Sequence, residues 1–189
     1  DLVRICYEQG IEVTSLPGAA ACITALTLSG LPTRRFSFEA FLPKEKKERA
    51  AVLEELKNDT RTLIVYEAPH HLLGTLKELQ NALGDRRLTV CRELTKKFET
   101  AFQTTFSEAI RYYEEQGVRG ECVLVIEGRS REELVQEAQQ SWEAISVEEH
   151  MEHYLSTGMD RKSAMKQVAK DRGVGKREIY QMLLKAENE

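Results

Sequence analysis

Residues 61–91 read RTLIVYEAPHHLLGTLKELQNALGDRRLTVC, and the fold is decided there. Arg61 to Tyr66 is a continuous apolar run, the pattern of a strand covered on both faces of its sheet. Between Pro69 and Gly84, Leu72, Leu73, Leu76, Leu79 and Leu83 recur at helical spacing, which predicts a helix over 70–83. Arg87 to Cys91 returns to a strand. Strand, helix and strand in immediate succession form the unit of an α/β sheet. The same alternation continues outward. Glu12–Leu16, Arg35–Phe41, Thr100–Phe106 and Glu121–Ile126 predict further strands. Ala19–Ser29, Lys44–Lys57 and Ser107–Gln116 predict helices. Gly30 closes the first helix, Ala51, Val52, Leu53 and Leu56 give the second its buried stripe, and a serine caps the third. The reading is an α/β three-layer sandwich. Its sheet is mixed, because the strands between Arg87 and Phe106 follow one another like a hairpin.

After Gly128 the character changes, and no strand pattern is found. Ser130–Trp142 predicts a polar helix with Glu132 and Glu133 in its first turn. Ser146 with Glu148 and Glu149 resembles a capping box. Three short helices follow, Val147–Ser156, Arg161–Arg172 and Lys176–Ala186, broken at Thr157-Gly158 and Gly173-Val174-Gly175. They form a helix-turn-helix-like, all-helical tail, with Ala164, Val168, Ala169, Ile179, Tyr180 and Leu183 as its expected core.

Composition bounds the rest. The 189 residues are 41% apolar, enough for a core and too much for a disordered tail. The net charge of -4 excludes a protein that holds nucleic acid by bulk cationic charge. No apolar run approaches the roughly 18 residues of a membrane-spanning helix, so no membrane partner is expected. The chain opens at Asp1 without Met and enters an amphipathic segment, Leu2, Val3, Ile5 and Cys6. With no signal peptide, it reads as a piece of a longer, cytoplasmic protein. Cys6, Cys22, Cys91 and Cys122 form no CxxC pair, and the expectation is four reduced, mostly buried thiols.

Common catalytic motifs are missing: there is no GxGxxG, GxxxxGK[ST], GxSxG or HExxH. His150 and His153 are read as an exposed polar helix face. His70 and His71 are adjacent, so their side chains are expected to diverge; no metal site is expected. More informative are four loops, each following an expected strand: Leu16-Pro17-Gly18-Ala19-Ala20-Ala21, Glu39-Ala40-Phe41-Leu42-Pro43-Lys44, Tyr66-Glu67-Ala68-Pro69-His70-His71 and Cys91-Arg92-Glu93-Leu94-Thr95-Lys96-Lys97. Ligands of open α/β sheets collect outside the carboxyl ends of strands, so the four are expected to share one crevice. Singly, each has an ordinary reading: turn punctuation, a helix cap at Glu67, a solvated run at Lys96-Lys97.

The series PGAAA, SGLPTRRFSFEAFLPK, TLIVYEAPHH, LGDRRLTVCRELTKKFE and GECVLVIEG resembles the tetrapyrrole-methylase superfamily. Within it, the series is most similar to the ribosomal RNA small subunit methyltransferase I family, over about residues 1–128. The resemblance implies a carboxyl-terminal α/β subdomain at 1–128, a linker helix at 129–145 and the helical tail at 146–189. It implies S-adenosylmethionine as cofactor, the ribose 2′-hydroxyl of a cytidine in 16S ribosomal RNA as methyl acceptor, the small ribosomal subunit as partner, and a homodimer. Carried over by residue, Pro17, Gly18 and Ala19 border the cofactor. Phe41, Leu42 and Pro43 wall its adenine, where Ala40 stands in place of the family's glycine. Tyr66, Glu67, Ala68, Arg92, Glu93 and Leu94 complete the cofactor site. Ala20-Ala21 replaces a Pro-Ser, and His71 replaces an arginine.

A ribose hydroxyl needs a base or nearby cations at neutral pH, and His70, Glu67 and Lys96 are the candidates. Arg34, Arg35, His71, Lys96, Lys97, Lys176 and Arg177 are the RNA-binding candidates. Asp160–Lys185 carries eight Lys/Arg against three acids, a local cationic stretch suited to nucleic-acid backbone. Two alternatives stand beside this reading: a methylase of small tetrapyrrole rings, and a non-catalytic nucleic-acid-binding module.

Overall fold

The computed structural model describes residues 1–186. The described chain divides into two compact units. The first comprises Asp1–Leu56 and Arg61–Glu127; the second comprises Lys57–Thr60 and Gly128–Glu189.

The first unit is built on five strands: β1 (Phe36–Phe41), β2 (Thr62–Glu67), β3 (Arg87–Arg92), β4 (Thr100–Thr105) and β5 (Cys122–Ile126). Their order across the sheet is β1-β2-β5-β3-β4. Only β1 and β2 pair in parallel; β2 with β5, β5 with β3, and β3 with β4 are antiparallel. The expected mixed sheet is thus present, and the hairpin of β3 and β4 is one source of the mixing. Leu63, Val65, Leu88, Val90, Leu124 and Ile126 point to one face. There they pack on α4 (Leu72–Leu83) and α5 (Phe106–Gln116), with Leu56 of α3 (Lys46–Leu56) joining them. Ile64, Cys91, Val123 and Val125 point to the other face, under Ala25 and Leu26 of α2 (Ala21–Ser29). Strands apolar on both sides and helices on both faces make the three layers. The helix over 72–83 owes its strength to the leucine spacing: Leu72, Leu76, Leu79 and Leu83 are all buried.

Two local expectations are corrected, the strand at Glu12–Leu16 and the cap of α5. Glu12–Leu16 forms no strand: the segment has no pairing partner among the described residues and Leu16 is 87% exposed. Propensity alone does not hold an extended run without a ladder. The amphipathic opening forms α1 (Leu2–Glu8), but buries none of its residues. The cap of α5 is Thr105, not the serine, with a complete capping box to Glu108.

The second unit is helical: α6 (Arg131–Glu143), α7 (Val147–Ser156), α8 (Arg161–Asp171) and α9 (Lys176–Ala186). Ser130, Ser146 and Asp160 cap the first three through side-chain oxygens. Val147, Met151, Ala164, Val168, Ala169, Ile179 and Leu183 form its core. Tyr180, expected in that core, is 52% exposed. His150, expected on a solvated face, is fully buried and stacks on Trp142 with ring centroids 3.8 Å apart. Its Nδ1 accepts a hydrogen bond from Arg172 Nε at 3.1 Å. The ring gains an aromatic face and one polar partner, while its Nε2 is sealed from solvent without a hydrogen-bond partner among the described residues. Of the cysteines, Cys91 and Cys122 are buried, Cys6 and Cys22 only partly, and all four are free. Among the described residues no helix is long and apolar enough to cross a membrane.

Candidate active site at the carboxyl ends of three strands

The pairing directions decide where the loops meet. β3 is antiparallel to β5, as β2 is, so β1, β2 and β3 run the same way. Their carboxyl ends, Phe41, Glu67 and Arg92, lie at one edge of the sheet, where β4 and β5 begin. The loops after all three strands therefore emerge together. The fourth loop arrives by another route. It follows no strand, but the backbone N–H of Cys22 at the start of α2 donates to the Tyr66 hydroxyl at 2.9 Å. This holds the helix start, just after Pro17, Gly18 and Ala19, against the end of β2.

On the α3–α4 side a cleft of about 690 Å³ opens, lined by Phe41, Leu42, Lys44, Arg49, Glu67, Ala68, His70, His71, Gly74, Thr75 and Glu78. Its polar floor is a chain of hydrogen bonds. Glu67, 6% exposed, accepts from the Ala68 backbone N–H at 2.8 Å and from the Thr75 hydroxyl at 2.6 Å. Thr75 accepts in turn from Arg49 at 2.7 Å. Arg49 is spent in three directions, on Thr75, the Pro43 carbonyl and Glu78. A buried carboxylate is tolerable only when satisfied in this way. Arg49, Thr75 and Glu78 were not legible in the sequence. Arg49 and Glu78 sit on charged helix faces, and a lone helical threonine carries no signal. Leu42 is buried in the core beside the cleft, while Phe41 is 61% exposed.

Across the sheet, Glu67 of β2 and Arg92 of β3 both pair with Cys122 of β5, so the three occupy one row. Burial pushes the Cys122 thiol up to about 12 and the Cys91 thiol up to about 11. Both are inert at neutral pH. After β3 the chain turns sharply: Glu93 and Thr95 hold φ at +50° and +64°. Glu93 folds over Gly120, accepting from the Glu121 N–H at 3.1 Å and from Lys96 at 3.2 Å. The hydrogen bond from Lys96 holds the Glu93 carboxyl below its ordinary range, and the Lys96 ammonium is raised by the same pair. Lys96 also reaches Glu121 at 3.5 Å. Leu94 is partly buried against the core under α2.

On the α2 side the end of the sheet is aromatic. Phe38 and Phe41 meet Tyr66 edge-on, with centroids 5.0 and 5.7 Å apart. Pro17, Gly18 and Ala19 are exposed, and nothing lies within 4 Å of where a Gly18 side chain would begin. Pro43 is half-buried behind Phe41 in sequence.

The RNA-binding candidates are not all brought together. His71, Lys96 and Lys97 belong to the strand-end loops. Lys97 lies 5.6 Å over the Phe98 ring. Arg34 and Arg35 precede β1, at the opposite end of the sheet. They lie there because the turn after Gly30 feeds the strand's amino end, so the cationic pair and the loops are separated by the strand's own length. Lys176 and Arg177 open α9 in the second unit. His70 and His71 do not diverge: they sit in a turn before α4, not in regular structure, and their rings lie 4.1 Å apart. Among the described residues no cluster of metal-ligating side chains is found.

The family model for tetrapyrrole (corrin/porphyrin) methylases matches residues 1–110. The chain is 46% identical over 180 residues to the ribosomal RNA small subunit methyltransferase I of Halalkalibacterium halodurans, covering 95% of this chain and 62% of that protein. The Bacillus subtilis protein of that name is also 46% identical, over 95% of this chain and 61% of its own length. The chain thus spans about three fifths of the length of these relatives. Among solved structures, a cobalt precorrin-4 methyltransferase is 18% identical with a TM-score of 0.49, covering 66% of this chain and 56% of that one. That likeness is too weak to add to the family match. With the model matched over more than half its length, the chain belongs to the tetrapyrrole (corrin/porphyrin) methylases.

Proposed function

We propose that this chain carries part of an S-adenosylmethionine-dependent methyltransferase that modifies the ribose 2′-hydroxyl of a cytidine in 16S ribosomal RNA. One observation carries the reading: relatives named for ribosomal RNA methylation are 46% identical along 95% of the chain. The convergence of the strand-end loops supports it.

The residues fit the cofactor. An exposed phenylalanine edge-on to Tyr66 offers an adenine wall. The open backbone at Pro17–Ala19 permits close approach, with no Cβ at Gly18 to obstruct it. When bound, S-adenosylmethionine supplies a methyl group already activated by its sulfonium charge. The chain's task is then to position the acceptor and to manage its proton. The three candidates differ in what they are free to do. Both Glu67 oxygens are engaged by Ala68 and Thr75. Lys96 is held protonated by its carboxylate partners. His70 is exposed and makes no hydrogen bond among the described residues. His70 is therefore assigned proton acceptance, Lys96 the shaping of its turn, and Glu67 the bracing of the cleft. Pro43 and Leu42 anchor Phe41, and Glu93 and Leu94 seat the turn that follows Arg92.

RNA contact belongs to the same proposal, through His71 and Lys97 near the site and Lys176 and Arg177 on the helical unit. Self-association as a homodimer is also proposed: Leu2, Val3, Ile5 and Tyr7 of α1 stand 46–75% exposed, an apolar surface that a partner copy would cover.

The test is methyl transfer to small ribosomal subunits by a protein of the relatives' full length. His70→Gln is expected to lower kcat about 10²- to 10⁴-fold, the range of a lost acid–base group, with KM unchanged. Unchanged kcat in that variant removes His70 from the role.

A further inference from the structure

Arg92 ends β3 with its Nε sealed from solvent and without a hydrogen-bond partner among the described residues. Guanidinium groups placed like this are ordinarily matched by a carboxylate. Here every nearby carboxylate is committed elsewhere. Glu93 is turned onto Lys96 and the Glu121 N–H. Glu121 pairs with Lys96. Glu99 accepts from the Thr95 N–H at 2.5 Å. Glu67, one strand beyond Cys122 in the same row, is satisfied by Ala68 and Thr75. The neighbouring ionisable groups do not supply an anion either: burial keeps the Cys122 thiol and the Tyr113 hydroxyl protonated. The Glu93 carboxylate is near enough for the Arg92 charge to help lower its pKa, but its hydrogen bonds go to Lys96 and the Glu121 N–H. The guanidinium thus stands without a hydrogen-bonded carboxylate at the end of the sheet where the three strand-end loops emerge.

We infer that Arg92 is the oxyanion-holding group of this site, its planar fork reserved for an oxyanion that the ligand brings. This rests on the methyltransferase reading, which offers two sources of that chemistry: a phosphodiester of the RNA strand, or the carboxylate of the cofactor. Lys96 is engaged by its own carboxylate partners, so it does not compete for the role.

The experiment uses the full-length protein, wild type and with Arg92→Gln and Arg92→Lys. Two quantities are read for each: the affinity ratio of S-adenosylhomocysteine to 5′-methylthioadenosine, which lacks the carboxylate, and the salt dependence of 16S RNA binding. If the cofactor is the source, Arg92→Gln collapses the ratio about tenfold or more. If the RNA is the source, the ratio stands and the slope of log K against log salt shrinks by about one. Arg92→Lys keeps the charge, loses the fork, and falls between. Both quantities unchanged in both variants overturns the inference. Should Arg92→Gln fail to fold, Arg92→Lys decides by the same readings. If the wild type binds neither nucleoside nor RNA, the methyltransferase reading fails by itself. A sulfate titration then decides for Arg92: stabilisation lost in the variant supports the inference, and equal stabilisation overturns it.

Discussion

Ala40 holds φ at +52°, a left-handed conformation at the irregularity where β1 shifts register against β2. An L-residue with a Cβ pays about 1–2 kcal/mol there, offset in part by glycine's larger unfolded-state entropy. Ala40→Gly is therefore expected to stabilise the protein by about 0.5–1 kcal/mol, read as a higher denaturation midpoint; a lower midpoint contradicts the strain. Gly120 is the converse case. Its φ is +79°, and an added Cβ would lie 2.5 Å from Glu93. Gly120→Ala is expected to destabilise and to loosen the Glu93–Lys96 turn. Thr75→Ala strips a partner from the buried Glu67 and is expected to cost about 1–3 kcal/mol; a change below about 0.5 kcal/mol would mean the network does not brace the cleft. The sequence marked Glu67 by its place in the loop Tyr66–His71 and by the family resemblance of that stretch. It did not mark Thr75 or Arg49, because their meeting depends on how α3 and α4 pack, which no local pattern encodes.

At the scale of elements, strong periodicity was legible and isolation was not. The leucine spacing of α4 and the apolar runs of β2 and β5 are dictated by burial, so the residues announce them. Glu12–Leu16 has strand-like composition but no neighbour to pair with, and sequence cannot count ladder partners. The helical unit showed its Ser146 cap but hid His150, since a histidine reads alike on either face; the Asp160 cap of α8 emerged only in the structure. That residue carries a pH prediction. Trp142 from α6 stacks on it, Arg172 after α8 donates to it, Asp171 Oδ2 lies 3.5 Å from its Nε2, and His153 and Tyr154 adjoin it on α7. Burial, with the Arg172 charge, lowers its pKa in the folded state; Asp171 opposes this. The unfolded chain then binds the proton more readily. Stability is full above an unfolded value of about 6.5 and falls as pH drops from there toward the lower folded pKa. Trp142 is the chain's one tryptophan, so its fluorescence reports on this unit within the intact protein. Urea midpoints followed by that signal should fall as pH drops below about 6.5, and His150→Gln should flatten the slope. A flat wild-type profile would contradict the account.

For the whole molecule, a net charge of -4 hides an uneven distribution, with eight cationic and three acidic side chains between Asp160 and Lys185. Mild overall charge excludes bulk attraction of RNA but not local contact, and the sequence showed that much. It also placed three of the four loops correctly after strands. It did not show that antiparallel β5, inserted between β2 and β3, leaves β1, β2 and β3 running the same way. That topology brings Phe41, Glu67 and Arg92 to one edge and sends Arg34 and Arg35 to the other. The central claim is that this edge belongs to an RNA ribose methyltransferase, and the most direct measurement is the fate of a labelled methyl group. Full-length protein is incubated with labelled S-adenosylmethionine, unmodified small ribosomal subunits and a tetrapyrrole precursor, and the products are digested and identified by mass. The account predicts label on the 2′-oxygen of a cytidine in 16S RNA. Label on the tetrapyrrole, or RNA bound without any transfer, would contradict it.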